Sequence, residues 1–177
     1  MAINTTAFGE AIYPHLTKPD TFFKPEGEYH LELKVKKEEA LKDIKIIDDL
    51  ISKQVAEEHQ KRPGFTGLIK RAPLPYKIEG NDVLFKFKCK AKGINSKTNE
   101  PFTQKPTLVD HNLDPIPDDK FIWGGSIMRI NYEPVPYSNA SVGIGVSLRL
   151  KGAQISKIVE GTNNTTGFEP VEPTGVF

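Results

Sequence analysis

Cysteine is nearly absent from this chain of 177 residues, which contains one, Cys89. A single cysteine excludes an intrachain disulfide and argues against a thiolate zinc site. Its apolar neighbours predict a small buried side chain rather than a reactive thiol. Histidine is also scarce, and the four are scattered without the spacing of metal ligands, so no metal site is predicted: His15, His30, His59 and His111.

Long apolar runs and nucleotide-binding motifs are missing as well. No apolar stretch approaches 18 residues and no basic-plus-apolar signal segment opens the chain, which predicts a cytoplasmic protein without a membrane span. There is no GxxxxGK[ST] phosphate loop. Asp114, Asp118 and Asp119 lie among prolines and indicate turns rather than a two-metal nuclease centre. We therefore expect neither an enzyme nor a cofactor.

The charge is nearly balanced, with 24 Lys and Arg against 23 Asp and Glu and a net charge of +1. Residues 161–177 contain Glu169 and Glu172 and no basic residue, so 24 basic and 21 acidic residues precede them. This segment of Gly, Thr, Asn, Glu and Pro has little to bury. We expect one domain over residues 1–160 and a flexible tail over 161–177.

Residues 84–92, with the sequence LFKFKCKAK, carry the most informative pattern. Successive side chains of a β-strand point to opposite faces. One face therefore holds apolar residues that suit a core. The other holds a row of amines at next-nearest spacings of roughly 7 Å, which suits a line of phosphates: Lys86, Lys88, Lys90 and Lys92.

Similar alternation predicts further strands at 28–36, 126–133 and 142–151, and a weaker one at 101–110. Apolar residues spaced by three and four predict an amphipathic helix over 38–60: Leu41, Ile44, Ile47, Ile51 and Val55. The proline-containing residues 1–26 indicate irregular structure. Five strands and one inserted helix favour a mainly β, five-stranded antiparallel barrel of the OB-fold, with a β-sandwich as the alternative.

Aromatic residues near Gly and Pro accompany the basic ones, and together they are typical of proteins that hold single strands without sequence preference. The residues predict phosphate contacts by Lys86, Lys88, Lys90 and Arg129 and base stacking by Tyr137, Trp123 and Phe102. A solvated, merely soluble Lys face remains open. So do an RNA-binding or annealing module and a non-catalytic protein-interaction domain.

Short segments in series resemble the replisome single-stranded DNA-binding proteins of podovirus-type bacteriophages. They are Lys-Pro-Asp at 18–20, Gly-Glu-Tyr at 27–29, Phe-Lys-Phe-Lys-Cys at 85–89, Leu-Val-Asp at 108–110, Trp-Gly-Gly-Ser at 123–126, Val-Pro-Tyr at 135–137 and Ser-Val-Gly at 141–143. The resemblance covers roughly residues 5–160. It implies an OB-fold with a long helix, no catalysis, and sequence-nonspecific binding of single-stranded DNA in phage replication, recombination and repair, in the cytoplasm of an infected bacterium.

The resemblance also bears on single residues. Lys86, Lys88, Arg129 and Tyr137 match DNA-contacting positions of the family, whereas Glu26 stands where relatives carry Arg. Phe177 matches the terminal Phe of a tail that, in the family, docks on the phage DNA polymerase and helicase–primase. The acidity of that tail is reduced here to two glutamates. The resemblance leaves a monomer and a homodimer open.

Overall fold

The computed structural model describes residues 3–159. Ten strands and one helix follow in chain order: β1 Asn4–Thr5, β2 Gly9–Asp20, β3 Glu28–Lys36, α1 Lys37–Lys61, β4 Tyr76–Glu79, β5 Asp82–Lys90, β6 Lys92–Ile94, β7 Pro101–Thr103, β8 Thr107–Asp110, β9 Ile127–Asn139 and β10 Gly143–Lys157. The predicted tail and Phe177 lie outside the described residues. Within those residues, no helix is both long and apolar enough to cross a bilayer.

Five strands pair in a closed ring, in the order β2, β3, β5, β10, β9 and back to β2. Four of the five pairings are antiparallel, and β5 meets β10 in parallel at the Lys88–Arg149 pair. Closure removes open sheet edges from the ring. The predicted mainly β OB-fold with one long helix is thereby confirmed, and the sandwich alternative is wrong.

One member of the ring differs from the prediction. Residues 101–110 form two short strands, β7 and β8, outside the ring, and the fifth strand is β2, in a segment expected to be irregular. Its pairing with β3 is broken between Ile12 and His15 and again between His15 and Asp20. Tyr13 has a positive φ of 49° at the first break. Prolines are tolerated in β2 because ladder hydrogen bonds are missing at these irregularities.

The core fills the ring and continues under α1. The alternation in β5 is confirmed, since Phe85 and Phe87 are buried while Lys86, Lys88 and Lys90 are exposed. Helix α1 packs against β3, β5, β9 and β10. Its buried residues are Ala40, Asp43, Ile47 and Ile51, whereas Leu41, predicted to face the core, is 57% exposed. The buried stripe is thus rotated from the predicted one and includes a carboxyl group.

Candidate nucleic-acid interface

A groove of about 930 Å³ runs along the outer face of the ring, and we call it the cationic groove. It lies between β5, the β6–β7 hairpin and the β9–β10 pair. Its charged and aromatic lining residues are Lys24, Glu28, Lys88, Lys90, Lys97, Phe102, Tyr137 and Arg149. The β5–β10 junction, where Lys88 is the register partner of Arg149, brings two cations from strands 61 residues apart in sequence to one place.

The cations of this groove fall into two groups. The Nζ of Lys24 is 2.6 Å from Glu28 Oε2, so its charge is compensated. Within residues 3–159, no acidic side chain lies within 4.0 Å of the charged nitrogens of the other four: Lys88, Lys90, Lys97 and Arg149. Uncompensated cations along one groove attract a polyanion.

The two aromatic rings of the groove are held over glycines. Tyr137 is the cross-strand partner of Gly145, and a Cβ at Gly145 would lie 2.6 Å from the Cζ and Oη atoms of Tyr137. In the β6–β7 hairpin, Phe102 pairs with Gly93, where a Cβ would lie 2.9 Å from the Phe102 Cζ. The missing side chains let each ring lie close to the backbone of the neighbouring strand. Both rings are thereby positioned at the wall of the groove.

A smaller groove of about 360 Å³ adjoins the first at Lys88. It contains Lys86, whose Nζ is 3.9 Å from Glu32 Oε1 and which is 72% exposed. Phe23 lines it too, is 84% exposed, and meets Phe22 edge-on at a centroid distance of 4.7 Å. The sequence prediction did not include Phe23. Its signal was two adjacent aromatics in a polar turn with nothing to pack on.

Two predicted residues lie away from the cationic groove. Arg129 lines a separate groove of about 560 Å³, donates from Nε to Gln154 Oε1 at 2.7 Å, and lies over the Phe8 ring at 5.1 Å. Eight residues of β9 separate it from Tyr137, roughly 26 Å along a strand. Trp123 lies in the loop before β9 and contacts Phe121 at 4.9 Å.

The loop of Trp123 has a structural role. Ser126 is fully buried, donates its hydroxyl to the Trp123 carbonyl at 2.7 Å, and accepts the Val159 N–H at 2.9 Å. Gly125 has a φ of 91°, which glycine adopts without strain. The Trp-Gly-Gly-Ser segment therefore fixes a turn that ties the start of β9 to the end of β10.

A closed ring of this topology beside a cationic, aromatic groove defines the class of OB-fold single-strand-binding proteins. Residues 9–158 match the family model described as single-stranded DNA-binding protein, bacteriophage T7. The chain belongs to this family, as the sequence resemblance predicted.

Relatives of known name agree with this assignment. The chain is 27% identical to the single-stranded DNA-binding proteins of Escherichia phage T7 and Enterobacteria phage T3, over 88% of this chain and 76% of each relative. The crystal structure of gp2.5, a single-stranded DNA-binding protein encoded by bacteriophage T7, superimposes with a TM-score of 0.78 at 27% identity, covering 99% of this chain and 98% of gp2.5. The single-stranded DNA-binding protein of bacteriophage Enc34, solved with single-stranded DNA, shares the fold at 18% identity, with a TM-score of 0.58 and coverage of 89% and 88%.

Proposed function

We propose that this protein binds single-stranded DNA, without sequence preference, in the cationic groove. The observation that carries the proposal is the meeting of four uncompensated cations with two aromatic rings in one groove. Phosphates contact Lys88, Lys90, Lys97 and Arg149, while bases stack on Tyr137 and Phe102. Backbone charge and ring faces are common to all sequences, so the binding is sequence-tolerant.

The strand extends into the neighbouring groove. Lys86 and Phe23 lie there beside Lys88, in reach of a strand that leaves the cationic groove. Arg129 contributes a more distant phosphate contact, along β9. Trp123 stays in the turn that it helps to form, so we assign it no base contact.

The cellular role follows from the family. We infer that the protein coats single strands during phage DNA replication, recombination and repair in the cytoplasm of an infected bacterium, and that it acts by binding, without catalysis. Asp118 supports this, because it pairs with Lys105 at 2.6 Å and is not directed to a metal centre. Contact of Phe177 with the phage DNA polymerase and helicase–primase stays a prediction, as does the choice between a monomer and a homodimer.

Removing the Lys88–Arg149 pair tests the phosphate contacts. We expect the double variant Lys88→Ala, Arg149→Ala to bind oligo(dT) about tenfold or more weakly than the unchanged protein. The slope of log affinity against log salt should become shallower by about 1.4, because each phosphate contact on a single strand contributes about 0.7. Anisotropy of a labelled oligonucleotide over a salt series measures both quantities.

The matched control removes the same two charges elsewhere. Lys61 and Arg62, at the end of α1, are 71% and 59% exposed and do not line the groove. The variant Lys61→Ala, Arg62→Ala should keep its affinity and salt slope. Equal losses in both variants would show that net charge, rather than the groove, governs binding. Competition between matched DNA and RNA strands decides between this proposal and an RNA-binding module.

Removing the Tyr137 ring tests stacking. Each base stacked on an aromatic ring contributes about 1–3 kcal/mol, so Tyr137→Ala should weaken binding roughly 5- to 150-fold. The salt slope should not change, because stacking releases no counterions. Tyr137→Phe keeps the ring and should retain affinity, and Trp123→Ala removes a half-exposed ring outside the groove and should retain it too. A changed slope in Tyr137→Ala would contradict a stacking role.

A further inference from the structure

Three side chains that the sequence separates meet on the outer face of β2 and β3. His15 and His30 are register partners, with ring centroids 4.6 Å apart. The Nε2 of His30 is 2.9 Å from Asp20 Oδ2. One candidate ligand atom from each of the three residues lies within 4.8 Å of the other two. The register break in β2 brings Asp20 beside this pair, although the spacing of the histidines predicted no metal site.

Asp20 is held in the form that binds cations. Its Oδ1 accepts the Phe22 N–H at 2.9 Å, which fixes the carboxylate at the start of the turn and leaves Oδ2 directed at His30. The hydrogen bonds from His30 and from the Phe22 N–H hold the pKa of Asp20 below its ordinary value. An oriented carboxylate, supported from behind by a backbone donor, is the usual arrangement of a metal ligand and its surroundings.

The donor set selects the class of ion. Two imidazole nitrogens and one carboxylate oxygen suit Zn²⁺ and other first-row transition metals, whereas Mg²⁺ and Ca²⁺ prefer oxygen alone. Ligand bonds of about 2.0–2.2 Å place neighbouring tetrahedral donors about 3.3 Å apart. The donor atoms need shifts of about an ångström to reach this geometry. The side chains of His30 and Asp20 are 32% and 22% exposed, which leaves room for such shifts and for a water ligand.

We propose that His15, Asp20 and His30 form a binding site for one divalent transition-metal ion such as Zn²⁺. The ion replaces the His30–Asp20 hydrogen bond and is held by three protein ligands with a fourth, open position. A hydrogen-bonded Asp–His pair without a metal would need no contribution from His15. Dependence on His15 therefore separates the two explanations.

The site adjoins the DNA surface. His30 is the register partner of Lys88 and lines the smaller groove together with Asp20 and Lys86. A divalent ion there replaces the local negative charge of Asp20 by a net positive one beside two cations. Metal binding should then strengthen binding of single-stranded DNA, and DNA should strengthen metal binding by the same factor. This consequence rests on the proposed function, whereas the metal site does not.

Calorimetric titration of the tag-free, metal-stripped full chain with Zn²⁺, without DNA, tests the site. We expect one ion per chain, and an affinity about tenfold or more weaker in each of His15→Asn, Asp20→Asn and His30→Asn. His111→Asn, which changes an exposed histidine outside the cluster, should bind Zn²⁺ as the unchanged chain does. Circular dichroism establishes that each variant is folded. Absence of saturable binding, or equal binding by the folded His15→Asn variant, would overturn the site.

A second titration, of oligo(dT) with and without one equivalent of Zn²⁺, tests the coupling. The unchanged chain should gain about fivefold or more in affinity and His15→Asn should gain nothing. Zn²⁺ binding without any gain would overturn the coupling and leave the metal site supported. Failure of the proposed function itself would appear separately, as unaltered DNA binding by the Lys88→Ala, Arg149→Ala variant.

Discussion

Replacing Phe87 by alanine is expected to lower the free energy of unfolding by about 3–5 kcal/mol. Phe87 is 1% exposed and lies at the middle of β5. Its ring packs between those of Phe85 and Tyr132, at centroid distances of 6.1 and 5.4 Å. Truncation removes these contacts and leaves a cavity that the strands of a closed ring fill poorly. Urea denaturation of the two proteins measures the difference.

The same chemical change at Phe102 is the control. Phe102 is 37% exposed and lies at the wall of the cationic groove, so Phe102→Ala should change stability little and weaken DNA binding. Folded Phe87→Ala molecules should bind DNA normally, because Lys86 and Lys88 point to the other face of the same strand. A loss of stability below about 1 kcal/mol in Phe87→Ala would show that this ring is not a central part of the core.

Replacing Tyr132 by phenylalanine is expected to cost about 2–4 kcal/mol at neutral pH, although it removes one atom. The Tyr132 hydroxyl donates to Asp43 Oδ1 at 2.5 Å, and Asp43 is 1% exposed. Among the described residues, Asp43 Oδ2 has no hydrogen-bond partner, so Tyr132 supplies the side-chain donor to this carboxyl group. The variant leaves a buried carboxyl between α1 and β9 without that donor.

The loss should depend on pH. Burial raises the pKa of Asp43 above its ordinary value of 3.8, so the folded state binds the proton more tightly than the unfolded state. The stability gained from that proton is complete below 3.8 and is lost as pH rises through the folded pKa. The hydrogen bond from Tyr132 lowers the pKa of Asp43, so its removal raises the pKa further. Tyr132→Phe should therefore differ less from the unchanged protein at acid pH than at pH 7.

A second tyrosine–aspartate pair provides the control. Tyr76, in β4, donates its hydroxyl to Asp48 of α1 at 2.8 Å, and this contact is exposed. Burial of the ring and the hydrogen bond to Asp48 raise the pKa of Tyr76 to about 12. Tyr76→Phe should cost under about 1 kcal/mol, because water can solvate the carboxylate that remains. Equal losses at Tyr76 and Tyr132 would contradict the role assigned to burial, as would a pH-independent loss in Tyr132→Phe.

Several elements could be predicted from sequence alone, and they share one property. The two faces of β5 follow from the alternation of Phe and Lys, and α1 was located to within one residue at each end. These features depend on local backbone geometry, which fixes the direction of neighbouring side chains. The face of α1 was less well predicted, since Asp43 is buried and Leu41 is exposed. Periodicity ranks residues by polarity, and a buried polar group with its own partner escapes that ranking.

The strand β2 could not be predicted for a different reason. Its two prolines and its register breaks remove the regular alternation by which strands are found. It pairs with β9 only at Gly9 and Glu10, yet that short contact closes the ring. The same irregularity brings His15, Asp20 and His30 together, which no spacing in the sequence announces.

The amino-acid sequence by itself determined the cationic face of β5, the long helix and the family, because each depends on residues close together in the chain or on the order of short segments. Only the tertiary structure decided which of the predicted residues share a groove. The parallel contact of Lys88 with Arg149 and the glycines beneath Tyr137 and Phe102 build it, while Arg129 and Trp123 lie elsewhere. These are contacts between strands distant in sequence, and strand register, which no local pattern encodes, sets them.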